Sequence, residues 1–356
     1  MKQPKALKPI QIGERIIGRG RDTLIIAEAG VNHNGDLQKA FELIELASQC
    51  GVDCVKFQTF KAEEIVTLKA PKAHYQLEVT DKKESQYEML KKLELSFDQF
   101  RQIQAKCQDV GLLFLSTPYN FNDVDDLETL GVEAYKIASA QLVEHPFLEY
   151  VAKKGKPVIL STGMATMVEV GEAVNVLRGA GNDQVVILQC TTNYPSATED
   201  ANLHAMLAME EAFNILVGYS DHTENSYAIL ASVALGAVVV EKHFTKDRSL
   251  SGPDHSSSIE PSELAELVEG IRSVSKALGS RGKAPTPAEC KNISAMRRSI
   301  VALGTLEVGT LIERKHLAFK RPATGLPPNR LNEILGKKVS AVIHADTPIN
   351  EENIEW

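Results

Sequence analysis

The sequence is short of everything that would place it outside the ordinary soluble enzymes. No apolar stretch approaches the ~18 residues that a membrane span needs, and the opening MKQPKALKPIQIGERIIGRG has no apolar core of the signal-peptide kind. Lysines and arginines form no long run, and the net charge of −8 argues against nucleic acid or an anionic membrane as partner. The five cysteines (Cys50, Cys54, Cys107, Cys190, Cys290) contain no CxxC pair, so they read as reduced thiols of a cytoplasmic protein. Only Cys190, at a strand end, is placed to approach a site. GxSxG, HExxH and the GxxxxGK[ST] phosphate loop are all missing, and AEAGVNHNG is no GxGxxG fingerprint. These absences exclude the familiar serine-hydrolase, zincin, nucleotide-hydrolase and dinucleotide-binding readings.

What is present is a rhythm. Short apolar runs recur at 24–32, 54–60, 112–119, 134–140, 157–164, 185–192, 214–221 and 237–244, each followed by a longer amphipathic stretch. Alternating strand and helix patterns imply a parallel sheet. Eight repeats in about 250 residues are the size of a (β/α)8 TIM barrel, with a doubly wound open sheet as the competitor. The expected division is an N-terminal extension (1–20), a barrel (21–280), a linker (281–294) and a small unit of short β-like runs (295–356). An insertion at about 61–95 follows the second strand. Loops of that length are usually functional, and it is expected over the barrel's top.

Active sites of such barrels gather at the C-terminal ends of the strands, so the strand ends are where chemistry should appear. Glu28, Asn32 and His33 end the first run; Lys56 and Gln58 lie in the second, Thr117 in the third, Lys136 and Ser139 in the fourth. Ser161 ends the fifth, Thr192, Asn193 and Tyr194 the sixth, Ser220, Asp221 and His222 the seventh, and Glu241 and His243 the eighth. Solvated strand ends explain part of this list, but not two lysines inside VKFQ and YKIAS. Side chains alternate along a strand, so Lys56 and Gln58 share one face. A buried ammonium needs an anionic partner. The two lysines therefore call for a bound phosphate or carboxylate, with Thr117, Ser139 and Ser161 as donors, or else for a neighbouring acid such as Glu28. His222 and His243 end adjacent strands ~4.8 Å apart, close enough to reach one point. Two imidazoles with a nearby carboxylate suit a divalent cation; Mn²⁺ is the better match and Zn²⁺ the alternative. Glu241 shares the face of His243, while Lys242 points away. An anion site beside a metal fits attack by a phosphorylated carbon nucleophile on a metal-polarised carbonyl. A Schiff-base class I aldolase using Lys136 is the rival.

Taken in order, IIAEAGVNHNG, VKFQTF, FLSTP, YKIAS, ILSTGMA, GYSDHT, EKHFT, SGPDH and KRPATG resemble the sialic acid synthase family, from about residue 10 to 354. The resemblance implies a TIM barrel with a C-terminal antifreeze-like (SAF) domain. It implies condensation of phosphoenolpyruvate with an N-acetylated mannosamine-type sugar, releasing phosphate and giving a nine-carbon 2-keto acid. His222 and His243 would hold Mn²⁺ or Mg²⁺. Lys56, Thr117, Lys136, Ser139, Ser161 and Ser220 would bind phosphoenolpyruvate, with Thr192, Asn193 and Tyr194 nearby. Glu28, Gln58 and Asp254 would handle sugar or water. Arg321 would reach the N-acetyl group from the other subunit of a domain-swapped homodimer. Relatives often carry Gly-Glu where this chain has Ala140 and Gln141, an amide in place of a sugar-contacting carboxylate. N-acetylneuraminate and N,N′-diacetyllegionaminate synthases resemble the chain more than pseudaminate synthases do. A sugar- or ice-binding protein without turnover is the non-enzymatic alternative.

Overall fold

The computed structural model describes residues 7–280 and 282–356, with the side chains of His74, Tyr75 and Glu78 also outside the description. The chain divides into two compact units, one running to Gly279 and one from Ser280. Among the described residues no helix is long and apolar enough to cross a membrane.

The first unit opens with a hairpin, β1 (Ile10–Ile12) and β2 (Arg15–Ile17), then β3 (Leu24–Gly30), α1 (Leu37–Gln49) and β4 (Cys54–Thr59). Three short helices, α2 (Ala62–Ile65), α3 (His74–Val79) and α4 (Gln86–Lys91), make up the insertion. Regular alternation follows: α5 (Phe97–Asp109), β5 (Leu113–Pro118), α6 (Phe121–Leu130), β6 (Tyr135–Ile137), α7 (His145–Lys153), β7 (Val158–Ser161), α8 (Met167–Gly179) and β8 (Val185–Cys190). The unit closes with α9 (Leu203–Phe213), β9 (Leu216–Asp221), α10 (Tyr227–Ala234), β10 (Val239–His243) and α11 (Pro261–Leu278).

Eight parallel strands pair in the order β5-β4-β3-β10-β9-β8-β7-β6. The two end strands, β5 and β6, lie side by side, so the sheet curls into a nearly closed barrel. Side-chain parity sorts the strands into two populations. Outward residues such as Ile25, Val55, Phe114 and Val240 pack with the helices in one large apolar core. Inward residues of the lower half, including Leu24, Ile26, Cys54, Leu115, Ile159 and Val186, form a second core. The hairpin's Ile10, Ile12 and Ile17 join that core and plug the barrel floor. Residues 10–17, expected only as part of an extension, thus have a structural task. The upper half of the interior is polar, and that contrast positions the site.

Helix starts are locally coded. Asp36 accepts from the backbone of Gln38 and Lys39, and Ser96 and Thr166 form capping boxes with Gln99 and Glu169. Within the insertion, Lys72 is buried and donates to Thr80 Oγ1 (2.9 Å), Asp81 O (2.7 Å) and Glu84 Oε1 (2.9 Å), tying residues 72–84 into one piece.

The second unit contains α12 (Pro287–Met296), β11 (Ser299–Ala302), β12 (Leu317–Lys320) and α13 (Leu331–Ile334). The expected linker is therefore largely a helix, started by Thr286 in a capping box with Glu289. Ile300, Leu306, Ile312, Leu326, Val339 and Ile349 belong to the small unit's own apolar core. Arg321 follows β12, and its Nε donates to Met296 O at 2.9 Å.

Candidate active site

The polar upper half of the barrel encloses a cavity of about 380 Å³. Its centre is a four-residue charge cluster set by strand register. Glu28 lies opposite Lys56 across β3 and β4, and Glu241 opposite Ser220 across β10 and β9. Lys56 Nζ sits 2.7 Å from Glu28 Oε2, 3.0 Å from Thr117 Oγ1 and 3.7 Å from Glu241 Oε2. Lys136 Nζ is 3.4 Å from Glu241 Oε1, which also accepts from Ser220 Oγ at 3.0 Å. Gln58 Nε2 donates to Glu28 Oε1 at 3.2 Å. The two buried lysines therefore meet two buried glutamates. Of the two alternatives, the pairing with a neighbouring acid is present: Glu28 and Glu241 supply counter-charges to both lysines. Donors for a guest lie beside the cluster. Ser161 Oγ is buried with no hydrogen-bond partner among the described residues. Ser139 and Thr192 crowd Gly163 so closely that a Cβ there would collide with both hydroxyls.

The two acids are driven apart. Burial raises Glu28 from an ordinary 4.5 to about 7, with Lys56 opposing and Glu241 adding to the rise. Burial also works against ionised Glu241, but Lys136, Lys56 and His243 outweigh it and bring that group down to about 2. Burial lowers Lys136, for which Glu241 is the main compensation. Lys56, with both glutamates in reach, moves up in spite of its burial. A carboxyl poised near neutrality next to a permanently ionised one is a proton-handling arrangement.

Across the cavity lie the imidazoles. The ring centroids of His222 and His243 are 5.4 Å apart, and the Tyr194 ring stands 4.1 Å from the first and 5.6 Å from the second. His222 Nδ1 is 2.7 Å from Thr191 O. A carbonyl only accepts, so that nitrogen carries a proton, and in the neutral ring Nε2 keeps its lone pair. Burial lowers His222, but Cys190, the Thr191 carbonyl and Glu241 outweigh it and raise the group overall. Burial, His222 and Lys56 hold His243 well below its ordinary value, hence neutral. Asp254, pushed up to about 6 by burial, places Oδ2 4.0 Å from His243 Nδ1. Behind the rings, on the outer face, Lys242 Nζ meets Asp221 Oδ2 at 2.6 Å. Asp221 Oδ1 in turn accepts from Thr223 N at 3.0 Å. Asp221 and Lys242 thus brace the loop that carries His222, and neither side chain enters the cavity.

A model of the NeuB family matches residues 43–283, and one of the SAF domain matches 297–355. The chain belongs to the NeuB family. It is 45% identical over 333 residues to the N,N′-diacetyllegionaminic acid synthase of Campylobacter jejuni, covering 93% of this chain and 100% of that one. It is 36% identical over 343 residues to the N-acetylneuraminate-9-phosphate synthase of Mus musculus, covering 96% and 95%. A crystal structure of N-acetylneuraminic acid synthetase from Leptospira borgpetersenii superposes with a TM-score of 0.72 at 33% identity, over 81% of this chain and 95% of that one. The NeuB-family chain is accordingly an enzyme of the synthase kind, on a TIM barrel followed by a SAF domain.

The imidazole pair of this NeuB barrel suits a cation. His222 presents Nε2 with Nδ1 held from behind, and His243 is neutral with Nδ1 making no hydrogen bond among the described residues. No three His, Cys, Asp or Glu side chains among the described residues converge on one point. Any metal here would take two protein nitrogens and complete its shell from water or substrate.

Most of the expected site residues meet at this cavity: Glu28, Lys56, Gln58, Thr117, Lys136, Ser139, Ser161, Thr192, Tyr194, Ser220, His222, Glu241 and His243 all line it. Asp254 lines an adjoining chamber. Two others do not face the cavity. Asn193 is exposed and its amide donates to Pro195 O at 3.1 Å. Gln141 is buried, with neither amide atom hydrogen-bonded among the described residues. Arg321 lies in the second unit. Sequence reasoning missed Tyr119, whose hydroxyl is 3.4 Å from Gln58 Oε1, and the insertion's Gln76 and Gln86. Tyr119 directly follows β5 and its N–H still donates to Thr59 O at 3.2 Å, so the parity of Thr117 extends to it. Cys190 also lines the cavity, its Sγ 3.9 Å from His222 Nδ1.

Proposed function

We propose that the enzyme condenses phosphoenolpyruvate with an N-acetylated mannosamine-type sugar, releasing phosphate and forming a nine-carbon 2-keto acid. The product would be of the N-acetylneuraminate or N,N′-diacetyllegionaminate kind, with the pseudaminate kind as the more distant possibility. One observation carries the reading: a Glu28–Lys56–Glu241–Lys136 cluster faces two neutral-capable imidazoles across a single cavity fringed with hydroxyls. A divalent cation, Mn²⁺ or Mg²⁺, would be held by His222 and His243 and would polarise the aldehyde oxygen of the open-chain sugar.

The protein's own groups do the rest. Lys56 and Lys136 stabilise the carboxylate and phosphate of phosphoenolpyruvate, helped by Thr117, Ser139, Ser161 and Ser220. The methylene carbon attacks the aldehyde carbon; the new C–C bond takes the vinyl electron pair, and the aldehyde oxygen takes the proton that the protonated Glu28 carboxyl gives up. Positive charge at C2 is stabilised by Glu241, which stays ionised. Water adds at C2 and gives up a proton to Glu28, whose carboxyl titrates near neutrality. The bond between C2 and the phosphorus-bearing oxygen then breaks, its electron pair leaves with phosphate, and the C2 hydroxyl gives its proton to the departing phosphate to become the keto oxygen. Gln58 and Asp254 orient the sugar, and in a domain-swapped homodimer Arg321 of the partner subunit would reach its N-acetyl group. The test is phosphate release from phosphoenolpyruvate with and without N-acetylmannosamine-type sugars, with mass analysis for a nine-carbon acid. Sugar-independent release, or none with any sugar, would refute the reading.

One feature favours a rival. Burial lowers Lys136, which suits a Schiff-base amine. Borohydride trapping with pyruvate would label Lys136 only under that mechanism.

A further inference from the structure

Beside the cavity lies a smaller chamber of about 190 Å³. Gln58, Tyr119, Tyr194 and His243 line both, so the two spaces are neighbours through those side chains. The chamber's wall is supplied mainly by the insertion. Ile65 comes from α2, Met89 and Leu90 from α4, and Leu93 from the turn after it, with Phe60 from the end of β4. Phe60 and Leu93 are buried, and Ile65, Leu90 and Tyr119 pack against them in a satellite apolar cluster. The polar groups that reach the chamber are the amides of Gln58, Gln76 and Gln86, the two tyrosines, His243 and the Asp254 carboxyl. Among the described lining residues there is no lysine or arginine.

The insertion carries seven lysines; none lines the chamber, and four of them are committed to acids elsewhere. Lys61 is paired with Glu94 (3.8 Å), Lys72 with Glu84 (2.9 Å), Lys91 with Glu63 (2.9 Å) and Lys92 with Glu84 (2.5 Å). A phosphate dianion entering the chamber would lose water, find no described counter-ion on the wall, and face the Asp254 carboxyl. A methyl or acetyl group would instead cover Ile65, Leu90 and Leu93, while the glutamine amides could pair with an acetamido N–H and C=O.

Resting on the condensation proposed above, we infer that this chamber receives the end of the sugar remote from the aldehyde and selects an uncharged, apolar-tipped end, deoxygenated or acylated, over a phosphorylated one. The insertion residues Ile65, Met89 and Leu90 are then specificity determinants of the reaction.

The experiment uses the full chain with phosphoenolpyruvate and three sugars: N-acetylmannosamine, its 6-phosphate, and 2,4-diacetamido-2,4,6-trideoxymannose. The expected order of kcat/KM puts the trideoxy sugar first by at least tenfold over N-acetylmannosamine, on the scale that one apolar group is worth in a pocket. The 6-phosphate is expected last. Leu90→Lys, at a half-buried position, is expected to narrow the ratio of trideoxy sugar to 6-phosphate at least tenfold. Leu90→Gln, which adds no charge, should lower use of the trideoxy sugar without helping the phosphorylated one, and serves if the lysine variant does not fold. Turnover of the 6-phosphate equal to or faster than that of the trideoxy sugar overturns the inference. So does an unchanged ratio in a folded Leu90→Lys protein. If no sugar supports phosphate release, the condensation itself fails; calorimetric binding of the same three sugars then decides the chamber's preference independently of turnover.

Discussion

Replacing Glu28 by glutamine tests whether this carboxyl moves the proton in the proposed reaction. The carboxyl is fully buried, and the folded protein lifts it from 4.5 to about 7 because burial disfavours the charged form more than Lys56 restores it. At 1.36 kcal/mol per pH unit, the gap corresponds to about 3 kcal/mol between the protonated and ionised states. The folded state thus binds this proton more tightly than the unfolded chain does. Its stabilising effect is complete below pH 4.5 and is lost as pH rises through about 7. Glu28→Gln cannot ionise, so its stability should lack that decline between about pH 4.5 and 7. Denaturant unfolding of both proteins across pH 4.5–8 measures the difference. In the same variant, the inflection near pH 7 in the log kcat profile for phosphate release should disappear, with kcat down on the order of 10²–10⁴-fold, the usual contribution of a positioned proton-transfer group. A Glu28→Gln enzyme that keeps both the inflection and the stability slope would refute the assignment.

Lys242→Met should lower stability by about 3–5 kcal/mol because it strands a buried Asp221, whereas Asp221→Asn/Lys242→Met should recover much of the loss; equal losses in the single and double variants, read from denaturant midpoints, would contradict the pairing. His243→Ala should abolish turnover while circular dichroism and the unfolding midpoint stay near wild type, and retained turnover would remove His243 from the chemistry. Arg321→Ala should raise KM for the sugar and leave KM for phosphoenolpyruvate unchanged; parallel changes in both would sink its assigned role.

The strand alternation was visible in the sequence because hydrophobic runs and strand parity share one physical cause, the two-residue period of a β-strand. That period also placed Lys56, Gln58, Glu241 and His243 on the inner face and Lys242 on the outer. Register was not visible. Nothing in the linear sequence shows that Glu28 stands opposite Lys56, so a guest anion and a neighbouring acid such as Glu28 both stayed open as partners of the lysines. Parity also stops where a strand stops. β6 ends at Ile137, and a 3-10 turn over Ser139–Gln141 carries Gln141 away from the cavity lining. Asn193, in the loop beyond Cys190, likewise lies off the cavity lining. The floor hairpin escaped notice because its two strands are only three residues each. The insertion was legible as something over the barrel's top, and Gln76 and Gln86 do line the cavity. Its apolar chamber was not, since Phe60, Ile65, Met89 and Leu93 come together only through the packing of short helices.

The proposed condensation needs His222 and His243 to hold one divalent cation opposite the buried lysine–glutamate cluster. Its most direct test is electron paramagnetic resonance of Mn²⁺ titrated into chelator-stripped protein, followed by the phosphate-release assay on the same samples. One Mn²⁺ per chain should bind and restore turnover, and both binding and turnover should be lost in His222→Ala and His243→Ala. Full turnover in stripped protein, or unchanged Mn²⁺ binding in the two variants, would contradict it.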